Sequence, residues 1–159
     1  TSHASFAGVQ QNVPEEQLVG WEECHSSPFN EEVEGLTDIM EYDCNKANLM
    51  YACRPVGSSS YTLLAHAPRD VVLADSEDDP TLTHEANGVA WYYSAEWSMG
   101  FAPAGDTVQR DSCDIAQGNS TLRMCLHTSD DSLVAGFRCG NNFLNVNGGW
   151  ERVILHADD

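Results

Sequence analysis

The chain has almost no lysine. Lys46 stands alone, and with Arg54, Arg69, Arg110, Arg123, Arg138 and Arg152 it makes 7 basic residues against 25 acidic ones, a formal net charge of -18. So few cations cannot build the basic stripe that releases counterions from a phosphate backbone, which argues against nucleic acid as a partner. Anionic membrane surfaces are disfavoured for the same reason. Long apolar runs are also missing: none approaches the roughly 20 residues needed to span a bilayer, so no membrane insertion is expected. There is no Gly-x-Ser-x-Gly elbow and no His-Glu-x-x-His pair, which removes the commonest hydrolase and zinc-protease signatures. No Cys-x-x-Cys pair occurs, so neither a zinc knuckle nor a thioredoxin-like redox site is indicated. The sequence begins at Thr1 rather than Met and shows no basic, apolar leader; a signal peptide already removed is the expected explanation.

What the chain does contain fits one domain of 159 residues, 42% of them hydrophobic, enough for a sizeable core. Its six cysteines are Cys24, Cys44, Cys53, Cys113, Cys125 and Cys139. An even count without metal-ligand spacing reads as disulfides made in an oxidising compartment, so the protein is expected to be secreted and extracellular. Spacing favours Cys44 with Cys53 and leaves Cys113, Cys125 and Cys139 to be shared with Cys24. Each closed loop contributes roughly 2–4 kcal/mol by restricting the unfolded chain. The acidity keeps such a protein soluble and is compatible with divalent cations, high salt and cationic partners.

Apolar alternation with period two recurs along the chain, punctuated by turn residues. Strands are expected at Asn48–Arg54, Tyr61–Ala67, Val71–Ala74, Gly88–Ser94, Leu122–His127, Leu133–Cys139 and Trp150–His156. In the fifth of these Leu122, Met124 and Leu126 oppose Arg123, Cys125 and His127; in the last, Glu151, Val153 and Leu155 oppose Trp150, Arg152, Ile154 and His156. Pro14-Glu15-Glu16-Gln17 can open a single helical turn, and Leu36–Tyr42 is ambiguous. The predicted fold is all-β: antiparallel sheets in a sandwich or jelly-roll-like arrangement, disulfide-stapled, with at most one or two short helical turns. Residues 14–159 form that domain and residues 1–13 an N-terminal arm.

Candidate chemistry is sparse, and an enzyme is not expected. Asp75, Glu77, Asp78 and Asp79 crowd carboxylates into one turn and offer the hard oxygen ligands that calcium takes, without the spacing of an EF-hand loop. No cofactor is required; calcium is the compatible ion. Trp91, Tyr93 and Trp97 form an aromatic cluster beside acidic and amide residues, the chemistry of a lectin-like sugar platform, so glycans are an alternative partner. His66, His127 and His156 all fall on expected strands, where a metal site would need them to meet. Asn119-Ser120-Thr121 is an N-glycosylation sequon in a polar turn, with Asn119 the acceptor.

The arm Thr1–Val13 carries Phe6, Val9 and Val13 as its larger apolar groups, too little surface to hold itself in place. It is expected to dock, either as an edge strand of its own sheet or as a strand donated to another copy, a known way of building extracellular fibres. The combination Phe6-x-Gly8-Val9-Gln10-x-Asn12-Val13, Leu18-Val19-Gly20-Trp21-x-x-Cys24, Leu49-Met50-x-x-Cys53-Arg54-Pro55-Val56-Gly57, Gly100-Phe101-Ala102-Pro103 and Trp150-Glu151-Arg152-Val153-Ile154 resembles a group of secreted, cysteine-containing proteins of unassigned function from environmental microbes. The resemblance implies an extracellular setting and an arm that belongs to the domain, and it carries over no catalytic residue. The expected function is therefore structural: a homopolymer subunit of a fibre or surface assembly joined through Phe6, Val9 and Val13, with a secreted, calcium-assisted glycan-binding module as the alternative.

Overall fold

Eleven strands, β1 to β11, make two antiparallel sheets in the computed structural model, which describes residues 3–31, 35–76, 79–110, 113–128, 136–144 and 147–158. The first sheet has five strands in the order β1 (Gln10–Pro14), β4 (Ser60–Pro68), β3 (Asn48–Pro55), β11 (Trp150–Ala157), β2 (Glu22–Pro28). The second has six: β10 (Asn142–Phe143), β9 (Gly136–Cys139), β8 (Met124–His127), β7 (Ser98–Pro103), β6 (Val89–Tyr93), β5 (His84–Ala86). Between the sheets lies one core. Leu49, Tyr51, Leu63, Ala65 and Ile154 of the first sheet meet Trp91, Met99, Phe101, Met124 and Leu126 of the second. The Trp91 ring sits edge-on to both Tyr51 and Phe101, with ring centres 5.6 and 5.5 Å apart, the geometry that aromatic quadrupoles prefer. The sandwich expected from the alternation is thus present.

Both outer faces are covered as well. On the first sheet Met50, Ala52, Leu64, Val153 and Leu155 form a second apolar layer beneath Val13, Leu18, Phe6 and Trp21. On the second, Val108, from the segment after β7, packs on Tyr92 and Ala102. Two buried arginines stitch that segment down. Arg123, 1% exposed, donates to the carboxylates of Asp114 at 2.9 Å and Asp106 at 3.1 Å, to the Thr107 carbonyl and to the Gly118 carbonyl. Arg138, wholly buried, donates to the carbonyls of Gly140, Asp114, Ala116 and Ser120. A buried cation is tolerable only with its donors filled in this way.

Several expectations need correction. The bridges are Cys24–Cys44, Cys53–Cys139 and Cys113–Cys125, so Cys44 does not pair with Cys53. Cys44 precedes β3 while Cys53 lies near its far end. The extended run from Asn48 to Cys53 alone separates them by on the order of 15 Å, well beyond disulfide reach. Cys53 instead points into the core, where Cys139 of the facing sheet meets it. Val71–Ala74 is no strand: the ladder ends at Pro68, and Arg69–Val72 makes a helical turn that buries Val72. Leu36–Asp38 is the other α-helical turn, continued by a π-type turn over Ile39–Asp43. Glu15–Gln17 and Ser120–Leu122 are 3-10 turns. Strand β8 starts two residues later than expected, and residues 133–135 of the expected Leu133–Cys139 strand lie outside the described residues.

Candidate functional site

The arm is where the chain's chemistry is most elaborated. Its last residues form β1, the edge strand that pairs antiparallel with β4, Val13 opposite Tyr61 and Gln10 opposite Leu64. Val13 is 6% exposed in the outer apolar layer, Phe6 packs against the same layer, and Val9 reaches the rim of the inter-sheet core. All three predicted assembly residues therefore touch their own domain. The strand runs on to Pro14, one residue past the expected end of the arm.

Residues 3–8 continue over the open end of the outer face and are held by a set of main-chain bonds. The Ala4 amide donates to the Val19 carbonyl at 2.8 Å, and the Gly8 amide to the Asn87 carbonyl at 2.9 Å. The Trp21 indole N–H donates to the Ala4 carbonyl at 2.7 Å. Asn87 Nδ2 donates to the carbonyls of both Phe6 and His66, at 2.7 and 2.9 Å, tying arm to sheet. At the centre the Phe6 amide donates to His66 Nε2 at 2.8 Å. The rings of His3, Phe6 and Trp21 enclose that imidazole, with ring centres 6.0, 6.0 and 5.0 Å from it. Burial, reinforced by His3, pushes His66 down to about 4 from its ordinary value. Gly20, in the left-handed region at φ +84°, allows this approach, because a Cβ there would stand 2.7 Å from the His3 Cα.

Asn87 has a second role. With Gly88 it forms the two-residue turn between β5 and β6, both residues at positive φ (55° and 73°), the pattern of a type I′ hairpin. Ala86-Asn87-Gly88-Val89 is a standard hairpin signal, and it would have revealed both β5 and the clasp residue that sequence reasoning missed.

Elsewhere the predicted site residues are scattered. Trp91 is fully buried and donates its indole N–H to the Ala86 carbonyl, so it cannot stack on a sugar. The strand's parity explains this: Trp91 and Tyr93 share a face as expected, and that face is the core. Tyr93 is half-buried and Trp97, in the β6–β7 turn, is 45% exposed. Asp75 forms an isolated bridge to Tyr93, while the Asp79 carboxylate caps Thr81 through its amide and hydroxyl. Glu77 and Asp78 lie outside the described residues. Among the described residues no three His, Cys, Asp or Glu side chains cluster as metal ligands. The three strand histidines stand apart: His66 on the outer face of the first sheet, His156 beside Glu22, and His127 on the outer face of the second. Asn119 is exposed, in the left-handed region, with Nδ2 donating to Asp106 at 2.8 Å.

On the opposite edge of the first sheet His25, Ser27 and Arg152 form a polar staple. Arg152 Nε donates to Ser27 Oγ at 2.9 Å, and that oxygen lies 3.3 Å from His25 Nε2. Burial and the neighbouring guanidinium push His25 down to about 4, and burial pushes Arg152 down to about 9.

The surface is more one-sidedly acidic than the composition alone implies. None of the 7 basic residues is exposed. Lys46 pairs with Glu22 and Asp158, and Arg54 with Glu15 and Glu151. Arg69 donates to the Met40 and Cys44 carbonyls, and Arg110 to that of Asp79. Four of the cations are buried and the other three are half-buried and partnered, which leaves the exposed charge of the described residues acidic.

No protein-family model, no curated protein and no solved structure matches the chain.

Proposed function

We propose that this protein is the subunit of an extracellular homopolymer, a fibre or surface assembly whose copies exchange their N-terminal arms. The observation that carries the reading is the position of the arm relative to the covalent links. The three bridges close loops over 24–44, 53–139 and 113–125, and the whole arm lies upstream of all of them. The arm occupies a sheet edge, and its contacts are main-chain ladder bonds, one apolar layer and one clasp. Every one of these can be made equally well to a second copy, which is the condition for strand exchange. The sandwich itself cannot follow, because Cys53–Cys139 joins its two sheets.

The three disulfides suit an oxidising, extracellular setting, and no helix among the described residues is long and apolar enough to cross a membrane. The outward carboxylates make copies repel one another, so association should strengthen as salt shortens the Debye length towards roughly 8 Å or as divalent cations are added. An exposed Asn119 is available to carry an N-glycan without touching the arm.

A paired-cysteine trap tests the proposal. Val13 and Tyr61 are directly opposed between β1 and β4, so V13C/Y61C should form a disulfide wherever the arm docks. Oxidation at high protein concentration, with and without calcium, is followed on a non-reducing gel. A ladder of covalent oligomers is the expected result. Monomer alone at every concentration would refute exchange.

A further inference from the structure

We infer that His66 is an acid-released latch on the N-terminal arm, so that a fall in pH frees the arm for exchange and a return to neutrality re-docks it. The inference rests on the arm-exchange reading and names its control.

The geometry fixes the protonation state. A backbone amide is only ever a donor, so the bond from the Phe6 amide to His66 Nε2 requires a lone pair on that nitrogen. The docked imidazole is therefore neutral, with its proton on Nδ1. Protonation would place an N–H against the Phe6 N–H and abolish the bond at the middle of residues 3–8. The site offers a charged ring little else. It is 5% exposed and packed among His3, Phe6 and Trp21, with Met50 beside it on β3 and Asn87 across from it. His3 is the only titratable group among those described neighbours, and it adds repulsion. The acids next in sequence to Trp21 and Asn87 are engaged elsewhere, Glu22 with Lys46 and His156 and Glu85 with the Gly105 amide, and Asp70, four residues from His66, lies in the helical turn beyond the end of β4.

The sign follows from linkage. With the arm docked, His66 is held down at about 4 and resists protonation, whereas once the arm has left, the same residue on β4 is opened to water and returns towards the ordinary 6.5. The docked state thus has its full advantage above about 6.5 and loses it as the pH falls towards about 4, below which the loss is complete. Within that window the opening equilibrium rises roughly tenfold per pH unit. No residue paired in the β1–β4 ladder titrates within that window, the Tyr61 phenol lying far above it, so the outer segment of the arm opens first.

The test uses the full chain and two readouts. Amide exchange at Ala4, Phe6 and Gly8, corrected for intrinsic rates, is measured from pH 7 to pH 4 at low concentration. The wild type should show opening that rises steeply across the window. His66→Gln keeps an acceptor near the Nε2 position but cannot titrate, so its profile should be flat, and His3→Gln should retain most of the wild-type slope. A wild-type profile as flat as that of His66→Gln, or equal slopes in the two, would overturn the latch. The second readout is size after an acid pulse at high concentration followed by neutralisation. Opening in acid with no larger species afterwards would uphold the latch and sink arm exchange, so the two ideas fail separately.

Discussion

Replacing both cysteines of one bridge by alanine removes a cross-link whose worth depends on the loop it closes. In the chain-entropy treatment the lost stabilisation grows with the logarithm of loop length. Cys53–Cys139 spans 86 residues, Cys24–Cys44 spans 20 and Cys113–Cys125 spans 12. The corresponding costs are about 4.6, 3.3 and 2.8 kcal/mol. The chemical part of the change is nearly constant, since each variant deletes two sulfur atoms from enclosed sites, so the ranking reports the loops. Structure reinforces it, because Cys53–Cys139 alone joins the two sheets, while Cys113–Cys125 only pins an outer segment to β8. Urea unfolding followed by tryptophan fluorescence gives the three stabilities. The expected order is a loss of about 4.6 kcal/mol for the inter-sheet pair, against about 2.8 for the outer one. If C113A/C125A proves as damaging as C53A/C139A, the covalent frame is not what restrains the unfolded chain, and the case that only the arm is free to leave loses its foundation.

Two further substitutions probe the layers. Asp114→Ala strips the fully buried carboxylate from Arg123 and leaves only the partly exposed Asp106 to balance the buried guanidinium; a loss of about 3 kcal/mol is expected in the same urea assay. Gly100→Ala places a methyl 2.1 Å from the Met124 carbonyl oxygen and 2.6 Å from the Tyr92 hydroxyl, so β7 and β8 must separate. A drop in melting temperature beyond that of a surface Gly→Ala change checks it.

The strands legible in the sequence are the long, strongly apolar ones. Asn48–Pro55, Ser60–Pro68 and Trp150–Ala157 run over eight or nine residues, bury side chains on both faces and lie together in the first sheet. Alternation gives parity without sign: it separated Trp91 and Tyr93 from Tyr92 correctly, but could not say which side was core. Strand β2 escaped notice because Glu-Glu-Cys-His-Ser-Ser-Pro has no large aliphatic group; it is an edge strand held by Cys24 and by Ser27 beneath Arg152. Strand β7 was hidden by Gly100 and Pro103, which read as breakers, yet the glycine is there because the Tyr92 ring tip occupies the space of a side chain. The clasp had no local signal at all, since Phe6 and His66 are 60 residues apart and meet only once β4 is in place. The cations misled in the other direction: Arg123, Arg138 and Arg152 look like surface charge in a composition and are fully or almost fully buried.

The position of β11 bears on when this protein can become whole. Trp150–Ala157 is the last strand described, yet it is inserted between β3 and β2 in the middle of the first sheet. A ribosome delivers residues in order, so β2 has no sheet neighbour until some 120 later residues have been made. Sheet closure is consequently a late event, dominated by pairings between distant parts of the chain, which makes it slow. Through that interval β4 already has β3 on one side, and the arm, made before both, is available for the other. The edge that two copies would share is thus ready before either copy has finished folding, and crowding on a surface where chains emerge together would favour the shared arrangement over the private one.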